Sequence, residues 1–149
     1  PEGNWREMRD TEGWGIHPRL VPLLAGDLKR LDFHGGAVSR FDKIRHISGH
    51  PAVLSRIRVC WQTTEQLNCS TCEKCLRTMV ALEVLGVLES AESFRDQLDL
   101  TSLLDVRLVG PAQISWAKEN QLAAREHGCL ELAETLGKVL ESSGEGSLA

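Results

Sequence analysis

The chain has 149 residues, of which 42% are hydrophobic and 26% charged, with a net charge of −4. That balance belongs to a soluble globular protein with one ordinary core, and it excludes collagen-like, low-complexity and broadly disordered chains. No run approaches the roughly 18 uninterrupted apolar residues of a membrane span, so no membrane partner is expected.

Charge is unevenly spread. The first 75 residues carry 11 Lys and Arg against 9 Asp and Glu, and the remainder carries 6 against 12. The basic excess sits between Arg40 and Arg58, where Arg40, Lys43, Arg45, Arg56 and Arg58 face only Asp42. A local basic stretch in an acidic chain points to a small anionic ligand such as phosphate, or to a solvated helix face, more than to a polynucleotide track. The absence of Tyr also weakens any base-stacking platform, which argues against nucleic acid.

In chain order, residues 1–16 are polar and rich in Gly and Trp, and read as a loop or extended arm. The start has no initiator Met, signal peptide or transit-peptide character, and reads as a piece of a longer chain. His17-Pro18 opens the apolar patch Leu20-Val21-Pro22-Leu23-Leu24, where the prolines argue against a long helix. Gly26-Asp27 caps a short helical turn at Leu28–Leu31. His34-Gly35-Gly36 marks a tight turn. Ser39 is an N-cap for a helix carrying Phe41, Ile44 and Ile47 and ending near Gly49. A second short helix follows His50-Pro51 and uses Val53 and Leu54. Ile57-Arg58-Val59-Cys60-Trp61 alternates and is partly β-branched, which predicts a short strand. From Cys75 the pattern turns helical, with Leu76, Met79, Val80, Val84 and Val87 on one stripe that Gly86 interrupts near its end. Further helices are predicted at about 91–98, 101–105, 112–127 and 129–142, the third opened by Pro111 and stopped by Gly128. Gly144–Ala149 reads as a frayed tail.

Cysteine usage is the sharpest clue. Four of the five cysteines lie in the pattern Cys60-x8-Cys69-x2-Cys72-x2-Cys75. A secreted disulfide framework would spread an even number along the chain, whereas a tight cluster points to a reducing compartment, the cytoplasm, and a metal. Four thiolates satisfy tetrahedral zinc and leave no open position, so the site is expected to be structural. Asn68, Ser70 and Thr71 are turn-tolerant residues that leave backbone N–H groups for sulfur, while the following helix N-terminus, Lys74 and Arg77 favour thiolates. An iron–sulfur cluster is the competing reading, although Cys75 lacks the following x3-Cys-Pro of ferredoxins. Ordinary reduced cysteines are the bland one. Cys129 reads as a packed core residue.

The run Arg58-Val59-Cys60-Trp61, with Asn68-Cys69-Ser70-Thr71-Cys72-Glu73-Lys74-Cys75-Leu76-Arg77-Thr78-Met79, resembles the C-terminal zinc region of PP-loop (adenine nucleotide alpha hydrolase-like) ATP-dependent enzymes. In 7-cyano-7-deazaguanine synthases, four zinc cysteines follow the same order. Ser39-Arg40-Phe41-Asp42-Lys43-Ile44 resembles the short helix before the first of them. The His17–Leu23 patch, the His34-Gly35-Gly36 turn and the helical tail look similar to a bacterial branch of that superfamily, and the likeness spans roughly residues 14–127. The chain departs from the family at its nucleotide motif. The Ser-Gly-Gly-x-Asp-Ser loop that holds pyrophosphate is missing, since Gly35-Gly36 is followed by Ala37-Val38-Ser39.

The resemblance implies the C-terminal portion of an α/β Rossmann-like protein whose nucleotide-binding half is absent, mostly α in itself, with a short strand and a four-cysteine zinc knuckle. Residues 1–38 would complete the missing PP-loop domain, 39–88 form the zinc-knuckle region and 89–149 a helical region. The partner would be the N-terminal PP-loop domain of the same longer chain, with a homodimer left open. ATP and magnesium would bind only in the full-length protein, where a carboxylate-like group is adenylated and then attacked by nitrogen. No ATPase activity is expected from this piece alone. Arg40, Lys43, Arg77 and His17 are the candidates for binding a small-molecule substrate, each weighed against an ordinary surface or loop role. His34 has standing similar to His17, and His46 and His50 are helix-end residues either of which could replace a Cys ligand. The alternatives are a stand-alone zinc-knuckle interaction module and an iron–sulfur PP-loop protein of RNA thiolation.

Overall fold

The computed structural model describes residues 20–27, 29–31, 36–63, 65–95 and 97–144. The predicted arm at 1–16, His17, Leu28, His34-Gly35 and the tail beyond Gly144 lie outside these residues. Among the described residues six helices follow one another: α1 (Arg40–Ser48), α2 (Pro51–Leu54), α3 (Glu73–Val84), α4 (Leu100–Leu104), α5 (Pro111–Glu126) and α6 (Leu130–Gly144). Single 3-10 turns occupy Val21–Leu24 and Leu88–Ser90. None of the described helices is long and apolar enough to cross a membrane.

Local chemistry sets the helix ends. Ser39 Oγ accepts the Asp42 N–H at 3.1 Å and donates to Asp42 Oδ2 at 3.0 Å, so cap and first turn hold each other. Asp99 caps α4 by accepting from the backbone of Thr101 and Ser102 at 2.9 and 3.2 Å. At the end of α3, Gly86 sits at φ +68°. There Gly86 N–H bonds Glu83 O and Val87 N–H bonds Leu82 O, both at 2.9 Å, which closes a Schellman motif. Gly128, at φ +77°, ends α5 in the same way through Arg125 O and Ala124 O. Gly86 thus terminates the helix rather than interrupting its stripe.

α3 is the central element. From Cys75 to Leu82 every residue of α3 is buried. It packs against α1 and α5, α5 packs along α6 across the connection His127-Gly128-Cys129, and α4 rests on α6. Leu132, Ala133, Leu136 and Val139 give α6 one apolar face at helical spacing. One hydrophobic core runs through the described residues from Phe41 to Val139, and it includes Cys60 and Cys75.

Three expectations fail here. The described residues contain no strand; the segment 57–61 is irregular, unladdered and bent at Trp61. Its backbone is satisfied by a side chain instead, since Asn68 Oδ1 accepts the N–H groups of Val59 and Cys60 at 2.9 and 3.2 Å. The turn expected to be helical after Gly26 is closed by reciprocal bonds between Gly26 and Lys29, at 3.0 and 3.1 Å, which forms an isolated bridge. The helix expected at 91–98 is absent from the described part of that range, where turns run outward from the 3-10 helix. Buried Ser93 spends its Oγ on Leu54 O and its carbonyl on Asn68 Nδ2, tying this segment to its neighbours rather than to itself.

Candidate metal centre

The four clustered cysteines come from three pieces of backbone. Cys60 lies in the irregular segment 57–61, Cys69 enters the turn, Cys72 is the N-cap of α3 and Cys75 lies in its first turn. Their four Sγ atoms lie within 4.8 Å of one another. The individual separations are 3.5 Å for Cys72–Cys75, 3.8 Å for Cys69–Cys75 and 3.9 Å for Cys60–Cys72. Thiolates bound to one tetrahedral ion at a metal–sulfur distance of about 2.3 Å stand about 3.8 Å apart, so the cluster could bind a metal ion such as zinc. All five cysteines of the chain are free of disulfides.

Ser70 makes the turn. It is buried and the one described non-glycine residue at positive φ, +61°. That left-handed step brings the following N–H groups toward sulfur: Cys72 N–H reaches Cys69 Sγ at 3.3 Å, and the Thr71 hydroxyl approaches the same sulfur at 3.5 Å. Gln62 N–H donates to Cys60 Sγ at 3.3 Å. Ser70 Oγ accepts the Arg95 N–H at 3.3 Å, which locks the turn against the segment after α3.

These donors split the four thiols. Burial pushes Cys69 up, but the Thr71 hydroxyl and the Thr71 and Cys72 N–H groups outweigh it and bring the thiol down to about 6. Burial also opposes ionisation of Cys60, and hydrogen bonds from the backbone of Cys69 and Gln62 again leave it below the ordinary thiol value. Cys72 and Cys75 are raised, chiefly by burial, and Cys75 strongly so. Without metal, the cluster therefore combines acidic thiols with thiols that keep their protons at neutral pH.

Asn68 holds this arrangement from behind, and its role exceeds the turn tolerance read from sequence. The side chain is fully buried. Besides accepting from Val59 and Cys60, its Nδ2 donates to Ile57 O at 2.8 Å and Ser93 O at 3.2 Å. One amide thus uses both faces to fix the Cys60 segment, a role that a lone Asn beside a Cys does not announce.

Arg40 and Arg77 meet in one cleft of about 400 Å³, which is also lined by Arg58, Val59, Cys60, Trp61 and Lys74. Lys43 does not line it. Burial and the nearby Arg40 lower the Lys43 ammonium, against the raising effect of Glu119. Glu119 on α5 also accepts the Phe41 N–H at 3.3 Å, placing a carboxylate at the N-terminus of α1. The His46 and His50 rings lie near each other, tilted by 59° with centroids 5.9 Å apart, and the metal-capable group contains neither. Cys129 is half-buried beside the main core, in line with a packing role. Comparison with protein-family models, curated proteins and solved structures gives no match for this chain.

Proposed function

We propose that this chain is the zinc-stabilised, substrate-side portion of a PP-loop-type ATP-dependent ligase or synthase that works in the reducing cytoplasm. The observation that carries the reading is the placing of the four-cysteine cluster against a cationic cleft, with Cys60 belonging to both. Cys60, Cys69, Cys72 and Cys75 hold the ion. Zinc supplies no redox chemistry and, with four protein ligands, no open position; it cross-links the segment 57–61, the turn and α3. A polynuclear iron–sulfur cluster would interpose several irons and sulfides and push the outer thiolates farther apart than this cluster holds them.

The Cys motif favours the PP-loop assignment through its resemblance to that superfamily's zinc region, and ATP and magnesium belong to the nucleotide-binding half. What these residues contribute is an orienting wall. Arg40 on α1 and Arg77 on α3 present fixed positive charge to the anionic part of a substrate, and Lys43 stands beside Arg40. Leu23 and Leu24, exposed at 76% and 64%, fit a surface covered by the rest of a longer chain.

Elemental analysis with a visible spectrum tests the metal: about one zinc per chain and no colour is expected, and iron with sulfide would replace this reading by a cluster protein. The ligase reading is tested in the full-length protein by ATP–pyrophosphate exchange. Arg40→Ala should lower exchange without changing zinc content, and unchanged kinetics would remove Arg40 from the substrate wall.

A further inference from the structure

A larger cleft, of about 930 Å³, opens at the C-terminal end of α3, and none of the clustered cysteines lines it. Pieces of backbone distant in sequence build it: the last turn of α3, the 3-10 turn Leu88–Ser90, the segment carrying Phe94 and Leu98, and the starts of α4 and α6. Its floor is apolar. Leu88, Phe94 and Leu132 are only 5–8% exposed and form the bottom, while half-buried Leu98, Leu100 and Cys129 make the walls.

The rim is acidic. Glu83, Glu89 and Glu131 bring exposed carboxylates to the cleft, and Arg95 brings one guanidinium. Among the described residues, none of these four side chains makes a hydrogen bond or an ion pair. Arg95 can answer one carboxylate, and two remain. The first turn of α6 would by itself favour an anion, but Glu131 stands in that turn and reverses the sign.

These features select an occupant. The floor residues keep too little surface to meet the flat face of a protein, so only a body narrow enough to enter the cleft can touch them. The volume lies at the upper end of the range for small-ligand sites. An apolar body gains by leaving water for that floor. A protonated amine at the rim meets carboxylates that have no other partner, whereas an anion there would be repelled. We infer that this cleft binds a small amphipathic amine, with its apolar body on Leu88, Phe94 and Leu132 and its ammonium at the rim formed by Glu83, Glu89 and Glu131. The inference goes beyond the ligase reading and needs neither ATP nor the metal.

The test is calorimetric titration of the purified chain with phenylbutylamine, phenylbutyrate and spermidine. Alongside it, iodoacetamide labelling of Cys129, read by peptide mass analysis, reports whether the cleft is filled. Phenylbutylamine should bind, lose affinity with added salt and slow the labelling of Cys129. Phenylbutyrate has the wrong charge and spermidine lacks the apolar body, so each should bind at least about tenfold more weakly. Glu83→Gln and Glu131→Gln, both at exposed positions, should each weaken the amine about threefold and leave Tm unchanged. No heat at millimolar phenylbutylamine overturns the site. Equal binding of phenylbutyrate would show that apolar surface acts alone, and equal binding of spermidine that the rim acts alone; either result overturns it. Binding that leaves Cys129 labelling and the two variants unaffected puts the amine elsewhere, with the same consequence. A helical peptide with leucines on one face and lysines on the other serves as the last probe. If it protects Cys129 and binds more than about tenfold tighter than phenylbutylamine, the small-molecule assignment falls and the cleft is a groove for a basic protein segment.

Discussion

Asn68 makes four hydrogen bonds from a fully buried side chain, and all four go to backbone that positions Cys60 or the segment behind it. Truncation would strand two N–H groups and two carbonyls, some of them in the core, where an unmet polar group costs about 1–3 kcal/mol. Asn68→Ala should therefore destabilise the zinc-loaded protein by about 2–4 kcal/mol and weaken zinc roughly tenfold to a hundredfold, as loss of a supporting shell does elsewhere. Thermal unfolding and chelator competition read the two effects, and zinc affinity equal to the parent's would remove Asn68 from the metal's support. The thiols predict a pH dependence for the same competition. Cys72 and Cys75 are raised and keep their protons at neutral pH, so zinc must expel at least two protons on binding. Affinity should then fall roughly a hundredfold for each pH unit lost near neutrality. The fall should steepen as Cys69, held at about 6, takes up a further proton. A slope of one proton or fewer would show that the thiols are already ionised.

The helices themselves divide into those stated by local chemistry and those decided from a distance. Ser39, Pro51, Pro111 and Gly128 act on their own neighbours through caps, fixed φ or a left-handed stop, so α1, α2, α5 and the start of α6 could be read from sequence to within a residue or two. The four cysteines were legible for the same reason, because their spacing is itself the chemistry. The irregular course of the segment 57–61 was not. Alternation and β-branching describe a chain that wants a partner edge, and here the partner is Asn68, eight and nine residues downstream, which no periodicity reveals. The stretch 91–98 misled similarly, its polar groups being claimed by Leu54, Asn68 and Ser70. The meeting of Arg40 with Arg77 needed the packing of α1 on α3. Gly86 gives an element-scale prediction. Its φ is +68°, and a Cβ would meet nothing within 4 Å, so strain alone opposes a side chain. Gly86→Ala should cost about 1–2 kcal/mol by denaturant unfolding and leave zinc affinity untouched, since the cysteine cluster lies at the other end of α3. A change in zinc affinity would mean that the two ends of the helix are coupled.

One core runs through the described residues, and its parts stand at different distances from the cysteine cluster. α5 and α6 bury Ala123, Ala124, Leu132, Leu136 and Val139, none of them within the cysteine motif. The helices are joined by a short connection closed with a Schellman stop, and contacts so local in sequence form without help from the metal. The segment 57–61, the cysteine turn and the first turn of α3 are tied mainly by the Asn68 amide, the Ser70–Arg95 bond and the buried sulfurs, and a bound ion would add a cross-link there. Cys60 and Cys75 are core residues as well as members of the metal-capable group, so a zinc-loaded protein stripped of its ion would keep buried sulfurs at close quarters in place of a cross-link. Chelation should therefore raise backbone hydrogen exchange first and most strongly over 57–76, then over α1 through its contact with α3, and least over α5 and α6. The exchange of 57–76 should approach that of an unfolded segment, while α5 and α6 keep protection of several kcal/mol. Hydrogen–deuterium exchange with peptide-level mass analysis on zinc-loaded and chelated protein reads all three regions at once. Uniform loss of protection would make the ion the keystone of the entire core, because α5 and α6 could then no longer stand without α3. An unchanged pattern would show that the core holds the cysteines together unaided, and the zinc would lose its structural role.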